Sequence, residues 1–112
     1  MRGGAAGGVS AGGAVFRVKV VRCDLSGCAT NEDVYDLILT GLHAPDWHGR
    51  NLDALWDSVA GGGINGLCPP YRLEIEGYGV LKKELRDLVD RIEAVFLEAR
   101  RDRQVDVSFA VV

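Results

Sequence analysis

Pro45-Asp46-Trp47-His48-Gly49-Arg50-Asn51-Leu52-Asp53-Ala54-Leu55-Trp56-Asp57 is the stretch from which the chain is best read. A proline breaks the preceding element, and two aromatic-type residues and a glycine follow in a loop. Asn51 is a good helix N-cap, and nothing from Leu52 to Ala60 opposes a helix. Leu52, Leu55, Trp56 and Val59 fall at i, i+3, i+4 and i+7, one apolar stripe. Asp53 and Asp57, four residues apart, stack their carboxylates along one side of the same helix, a spacing that mildly opposes it. Trp56 sits on the apolar stripe, which argues for packing. Trp47 sits in a loop, where a large aromatic is harder to hide. Aromatic residues beside acids at a helix start suit a protein-binding hot spot.

The rest of the chain limits what this stretch can serve. Its 112 residues suffice for one small domain, and 47% hydrophobic with 26% charged residues is ordinary for a water-soluble fold. No apolar run approaches the ~20 residues of a membrane helix, and the start has no apolar core of a secretory signal. Cys23, Cys28 and Cys68 are odd in number and irregularly spaced, which points to reduced thiols in a cytoplasmic protein. The net charge is −3, unevenly spread. Glu32, Asp33, Asp36, Asp46, Asp53 and Asp57 face Arg50 alone between residues 31 and 66. Such a surface argues against nucleic acid as a direct partner and suits a basic protein.

Periodicity then places the elements. Residues 1–13, rich in Gly and Ala, read as a disordered tail, and 14–112 as a single domain. Ala14 to Cys23 alternates as a strand with Phe16, Val18 and Val20 toward the core. Thr30 and Asp33 resemble a capping box opening a helix whose apolar stripe is Val34, Leu37, Ile38 and Leu42. Gly41 weakens that helix and Pro45 ends it. Asn51 to Ala60 is the second helix, and the glycine-rich stretch 61–66 leads to Pro69-Pro70. Tyr71 to Ile75 alternates as a strand, and a helical turn is expected near Val80. Leu81, Leu85, Leu88, Ile92, Val95 and Ala99, widened by Val89 and Phe96, mark the longest helix. Its other side carries seven basic and six acidic residues between Lys82 and Arg103, a solvated face. Asp106 to Val112 is the last strand. The order β, α, α, β, α, β implies an α/β fold, a three-stranded parallel sheet with helices packed on it.

No catalytic arrangement stands out. His43 and His48 flank Asp46 without a third metal ligand, no GxSxG occurs, and Gly61–Gly66 lacks the ending of a phosphate-binding loop. The expectation is a protein that is not an enzyme and has no metal and no cofactor.

The stretch Trp47 to Asp57 closely resembles the barstar family, whose members show an aromatic residue, a variable one, Gly, another variable one, and then Asn-Leu-Asp-Ala-Leu-Trp-Asp. Here Asn51 to Asp57 match without a break. The likeness extends more weakly over residues 15 to 112, and Phe96-Leu97-Glu98-Ala99 is similar to the family's late-helix segment. The resemblance implies a barstar-like fold and an intracellular, cytoplasmic immunity protein. It would inhibit a secreted guanyl-type microbial ribonuclease in a one-to-one complex and be monomeric when free. It also implies roles. Asp57 would be the central acid standing in for a substrate phosphate, with Asp53 and Glu98 as further acids of an acidic interface. Trp47 would fill the loop aromatic position, usually Tyr, Gly49 would admit the partner backbone, and Trp56 would fix the helix angle. His48, in place of a common Tyr, and Arg50, a cation beside the acids, would set which ribonuclease is bound. The alternative is a barstar-like binding module for another basic protein, a non-ribonuclease toxin or a regulatory partner.

Overall fold

The computed structural model describes residues 18–112. The tail expected over 1–13, and Phe16 with the start of the first strand, lie outside these residues. The elements run β1 (Lys19–Asp24), α1 (Asn31–Gly41), α2 (Leu52–Gly61), β2 (Tyr71–Glu76), a 3-10 turn (Tyr78–Val80), α3 (Lys83–Arg103) and β3 (Val107–Val111). The sheet order is β1-β2-β3 with both pairs parallel, as the alternation of strands and helices requires.

The helices cover one face of this sheet. Tyr71, Leu73 and Ile75 of β2 and Val107 and Phe109 of β3 are buried, whereas Arg72, Glu74, Ser108 and Ala110 are only half-buried on the other face. That open face carries an ion-pair ladder. Glu74 accepts from Arg22 at 3.0 Å and from Arg72 at 2.8 Å, and the two guanidinium groups hold its carboxyl below the usual range. Charges opposite one another across strands of an uncovered face suit water and discourage stacking of a second sheet.

Two expected faces differ from those observed. Val18, just before β1, and Val20 in it are about half exposed, and Val21 and Cys23 turn inward. The segment carries two conflicting patterns. Arg17 and Lys19 make the odd positions look polar at first, but Arg22 and Asp24 make the even ones polar later. Pairing of Val21 with Leu73 and Cys23 with Ile75 obeys the later pattern, because a one-residue slip would put Arg22 into the core. In α1, Leu37 is exposed, and Tyr35 and Leu39 join Val34, Ile38 and Leu42 inside. The cause is Gly41. A Cβ there would stand 3.0 Å from Cys23 Sγ and 3.1 Å from Val21 Cγ1. The missing side chain lets α1 rest directly on β1 and fixes which stripe points down.

The expected caps are formed. Thr30 Oγ1 accepts from the Asp33 amide, and Asp33 Oδ2 accepts from the amides of Ala29 and Thr30. These amide donors hold the Asp33 carboxyl below its ordinary value of 3.8. A carboxyl depressed in the folded state stabilises fully above the unfolded value and loses that contribution as pH falls through the folded one. We therefore expect Asp33→Ala to flatten the acid limb of the stability profile below about pH 4, where the aspartate titrates. Urea midpoints at pH 3 and pH 6 that shift equally in the variant and the parent would rule this out.

At the centre of the core, the Phe96 ring lies 6.4 Å from Tyr71 edge-on and 5.3 Å from Phe109. Every apolar position predicted for the long helix is buried, although Leu81 precedes its first turn. α2 packs mostly on α3 rather than on the sheet. It is an outer helix, free to offer its remaining side to solvent.

Candidate functional site

Three segments meet at the outer end of α2. The loop from Pro45 to Arg50 turns back through the His48 amide, which donates to the Pro45 carbonyl at 3.0 Å. Asn51 then caps the helix, its Oδ1 accepting from the Ala54 amide at 2.8 Å. The Gly62–Pro70 connection returns alongside, held by amide-to-carbonyl bonds from Gly66 to His43 and from Leu67 to Leu42.

Trp47 is 75% exposed. Exposing so much of an indole forgoes burial worth about 2 kcal/mol or more, so it is the most conspicuous surface feature of the domain. With His48, Gly49, Ala54, Asp57 and Ile64 it borders a shallow cavity of about 100 Å³. Asp57 is exposed at this cavity. Asp53 is exposed too, but borders a wider groove with Asn31, Glu32, Arg50, Asn51 and Arg91. The structure thus brings Trp47, Gly49 and Asp57 together, sets Asp53 one helical turn away, and leaves Glu98 outside both depressions. Glu98 is exposed on α3, the helix on which α2 packs. Among the described residues Asp53, Asp57 and Glu98 form no ion pair, so their charge faces water.

The other expected residues have structural work. Arg50 Nε donates to Asp36 Oδ1 at 2.6 Å, which ties the loop to α1 and offsets the positive charge beside the acids. Both groups are about half exposed, so the pair is weak as a stabiliser. Trp56 is half-buried against the core with the Arg103 guanidinium 5.9 Å above its ring, a cation–π contact that joins the end of α3 to α2. At Gly49 the expected reason was access for a partner backbone, but a nearer one lies inside the chain. A Cβ there would stand 2.8 Å from Asn51 Nδ2 and 3.1 Å from Ala54 Cβ, so glycine lets the loop lie against the cap. His48 differs most from expectation. Read as a surface histidine touching a partner, it is only 8% exposed, with both ring nitrogens engaged. Its ring is turned inward, to Ser58 of α2.

Ser58, Ile64 and Asp36 were not singled out from the sequence. Ser58 had a legible signal, a polar residue beside Val59 on the buried side of α2. Ile64 is the one large apolar residue amid glycines. Asp36 had none, because its partner comes from the loop fourteen residues on.

Asn51 joins cap and loop, which makes it a direct probe of both. Replacing a cap asparagine by alanine costs about 1 kcal/mol, and we expect Asn51→Ala to lower the urea midpoint accordingly. An unchanged midpoint would show that the Ala54 amide finds another acceptor.

Fold and site together define a small parallel α/β domain that exposes an aromatic and an acid around one shallow cavity. Among the described residues no group of three or more His, Cys, Asp or Glu is placed to hold a metal ion, and no helix is long and apolar enough to cross a membrane. A family model described as Barstar (barnase inhibitor) matches residues 18–112, and the chain belongs to that family. Membership implies binding of a ribonuclease and an inhibitor-like function. No match was found among curated proteins.

Proposed function

We propose that this protein is a cytoplasmic immunity protein that inhibits a secreted guanyl-type microbial ribonuclease by occluding its active site, one inhibitor to one enzyme. The observation that carries this reading is Trp47 beside Asp57, an exposed indole and an exposed carboxylate around one cavity, in a chain of the barstar family. A ribonuclease site must be basic, because it binds phosphate and stabilises the charge that develops on it. A carboxylate accepts bidentate hydrogen bonds from arginine in the manner of two phosphate oxygens. Asp57 supplies that carboxylate, Trp47 the apolar anchor at its edge, and Asp53 and Glu98 outer charges that attract a basic partner from a distance.

The direct test titrates the protein into barnase and into a panel of other secreted guanyl-type ribonucleases while RNA cleavage is followed. Cleavage by at least one enzyme should fall linearly to an endpoint at one inhibitor per enzyme. Full cleavage by every enzyme at large excess would defeat the proposal.

A further inference from the structure

His48 and Ser58 face each other inside the domain, 8% and 3% exposed. His48 Nε2 lies 2.8 Å from Ser58 Oγ, and Nδ1 lies 2.8 Å from the Gly49 carbonyl oxygen. A carbonyl only accepts, so Nδ1 carries a hydrogen. In the neutral ring Nε2 is then bare and accepts from the Ser58 hydroxyl. That hydroxyl has one hydrogen and a competing acceptor, the Leu55 carbonyl at 3.1 Å. A helical serine commonly turns its hydrogen back to a carbonyl one turn earlier, and here the imidazole draws it away. The pair joins the loop to the second half of α2, ten residues apart. His48 also lines two depressions, one shared with Asp36, Asp46 and Arg50, the other with Trp47 and Asp57. A displaced His48 would alter both.

We propose that His48 and Ser58 form a positioning latch that holds the Trp47–Gly49 segment in register with Asp57, so that a partner meets a preformed surface. The latch is a property of the free chain. Its consequence for affinity rests on the proposed ribonuclease inhibition. Without it, among the described residues, Trp47 is steered by the backbone turn at Pro45, by the seating of Gly49 against the Asn51 cap and by the exposed Arg50–Asp36 pair. A loop in place about a tenth of the time would weaken binding about tenfold.

The test uses nitrogen NMR of the full chain at a pH above the ordinary histidine range. We expect His48 with Nδ1 protonated and Nε2 bare, the reverse of the tautomer that predominates in free histidine. In Ser58→Ala this preference should be lost. The heteronuclear NOE of the Trp47 indole N–H should drop while that of Trp56 holds, and affinity for barnase, or for whichever panel enzyme is inhibited, should weaken about tenfold. A protonated Nε2 in the parent, or an unchanged Trp47 NOE in a folded Ser58→Ala, overturns the latch. If the variant does not fold, the parent tautomer decides by itself. Failure of every ribonuclease to bind the parent would defeat the inhibitor reading and leave the latch to the NMR result.

Discussion

Asp57→Ala should weaken binding to the target ribonuclease by at least about 2 kcal/mol, the general threshold of an interface hot spot rather than a value carried over from a relative. That is roughly a thirtyfold loss of affinity. The carboxylate is exposed, and among the described residues unpaired, at a cavity it shares with Trp47. In the complex it would be desolvated against a cationic site, and truncation would leave those cations without an acceptor. The free protein should hardly notice. Asp57 makes no ion pair among the described residues, and its removal relieves the repulsion from Asp53 one turn before it. We expect an unchanged or slightly raised melting temperature together with the affinity loss, measured by calorimetry on both counts. Asp53→Ala and Glu98→Ala should lose less affinity, mostly through a slower association that high salt masks. Undiminished affinity of Asp57→Ala for an enzyme that the parent inhibits would move the centre of the interface elsewhere.

How much of this surface could be read beforehand depended on the range of the interaction. The Thr30 and Asn51 caps and the stripes of α2 and α3 were legible because they are local, set by residues three or four apart. The parallel sheet followed from the order of the elements. The face of β1 was not legible, since Arg17 and Lys19 argue one way and Arg22 and Asp24 the other, and the choice is made by pairing with Leu73 and Ile75 far along the chain. Gly41 looked like a weak helix end and is the point where α1 touches the sheet. His48 shows the same limit at the site. A loop histidine beside a tryptophan reads as exposed, and only the return of α2 beneath the loop gives it a buried partner in Ser58. Trp47 and Asp57 could be placed on the surface from the sequence. That they share one cavity could not, because Ile64, across the glycine-rich connection, helps form it.

Phe96→Ala tests the core instead of the surface and should cost about 3–5 kcal/mol of folding stability, the usual loss on emptying a buried aromatic site. Phe96 is 1% exposed, and its ring meets Tyr71 from β2 and Phe109 from β3, so one truncation leaves a cavity where α3 meets two of the three strands. Domains of this kind hold only about 5–15 kcal/mol in total. The variant should therefore unfold at a much lower urea concentration, whereas Leu97→Ala, on the exposed side of the same helix turn, should stay within about 0.5 kcal/mol of the parent. Asp57→Ala and Phe96→Ala separate recognition from folding. Asp57→Ala should keep the fold and lose the partner. Phe96→Ala should lose stability, but whatever fraction remains folded should bind with nearly parental affinity, because the proposed contact residues Trp47 and Asp57 are exposed whereas the aromatic cluster is buried. A Phe96→Ala protein as stable as its parent would mean that the sheet and α3 do not share this core. One that stayed folded but lost the partner as completely as Asp57→Ala would mean that the interface reaches through α3 to the sheet.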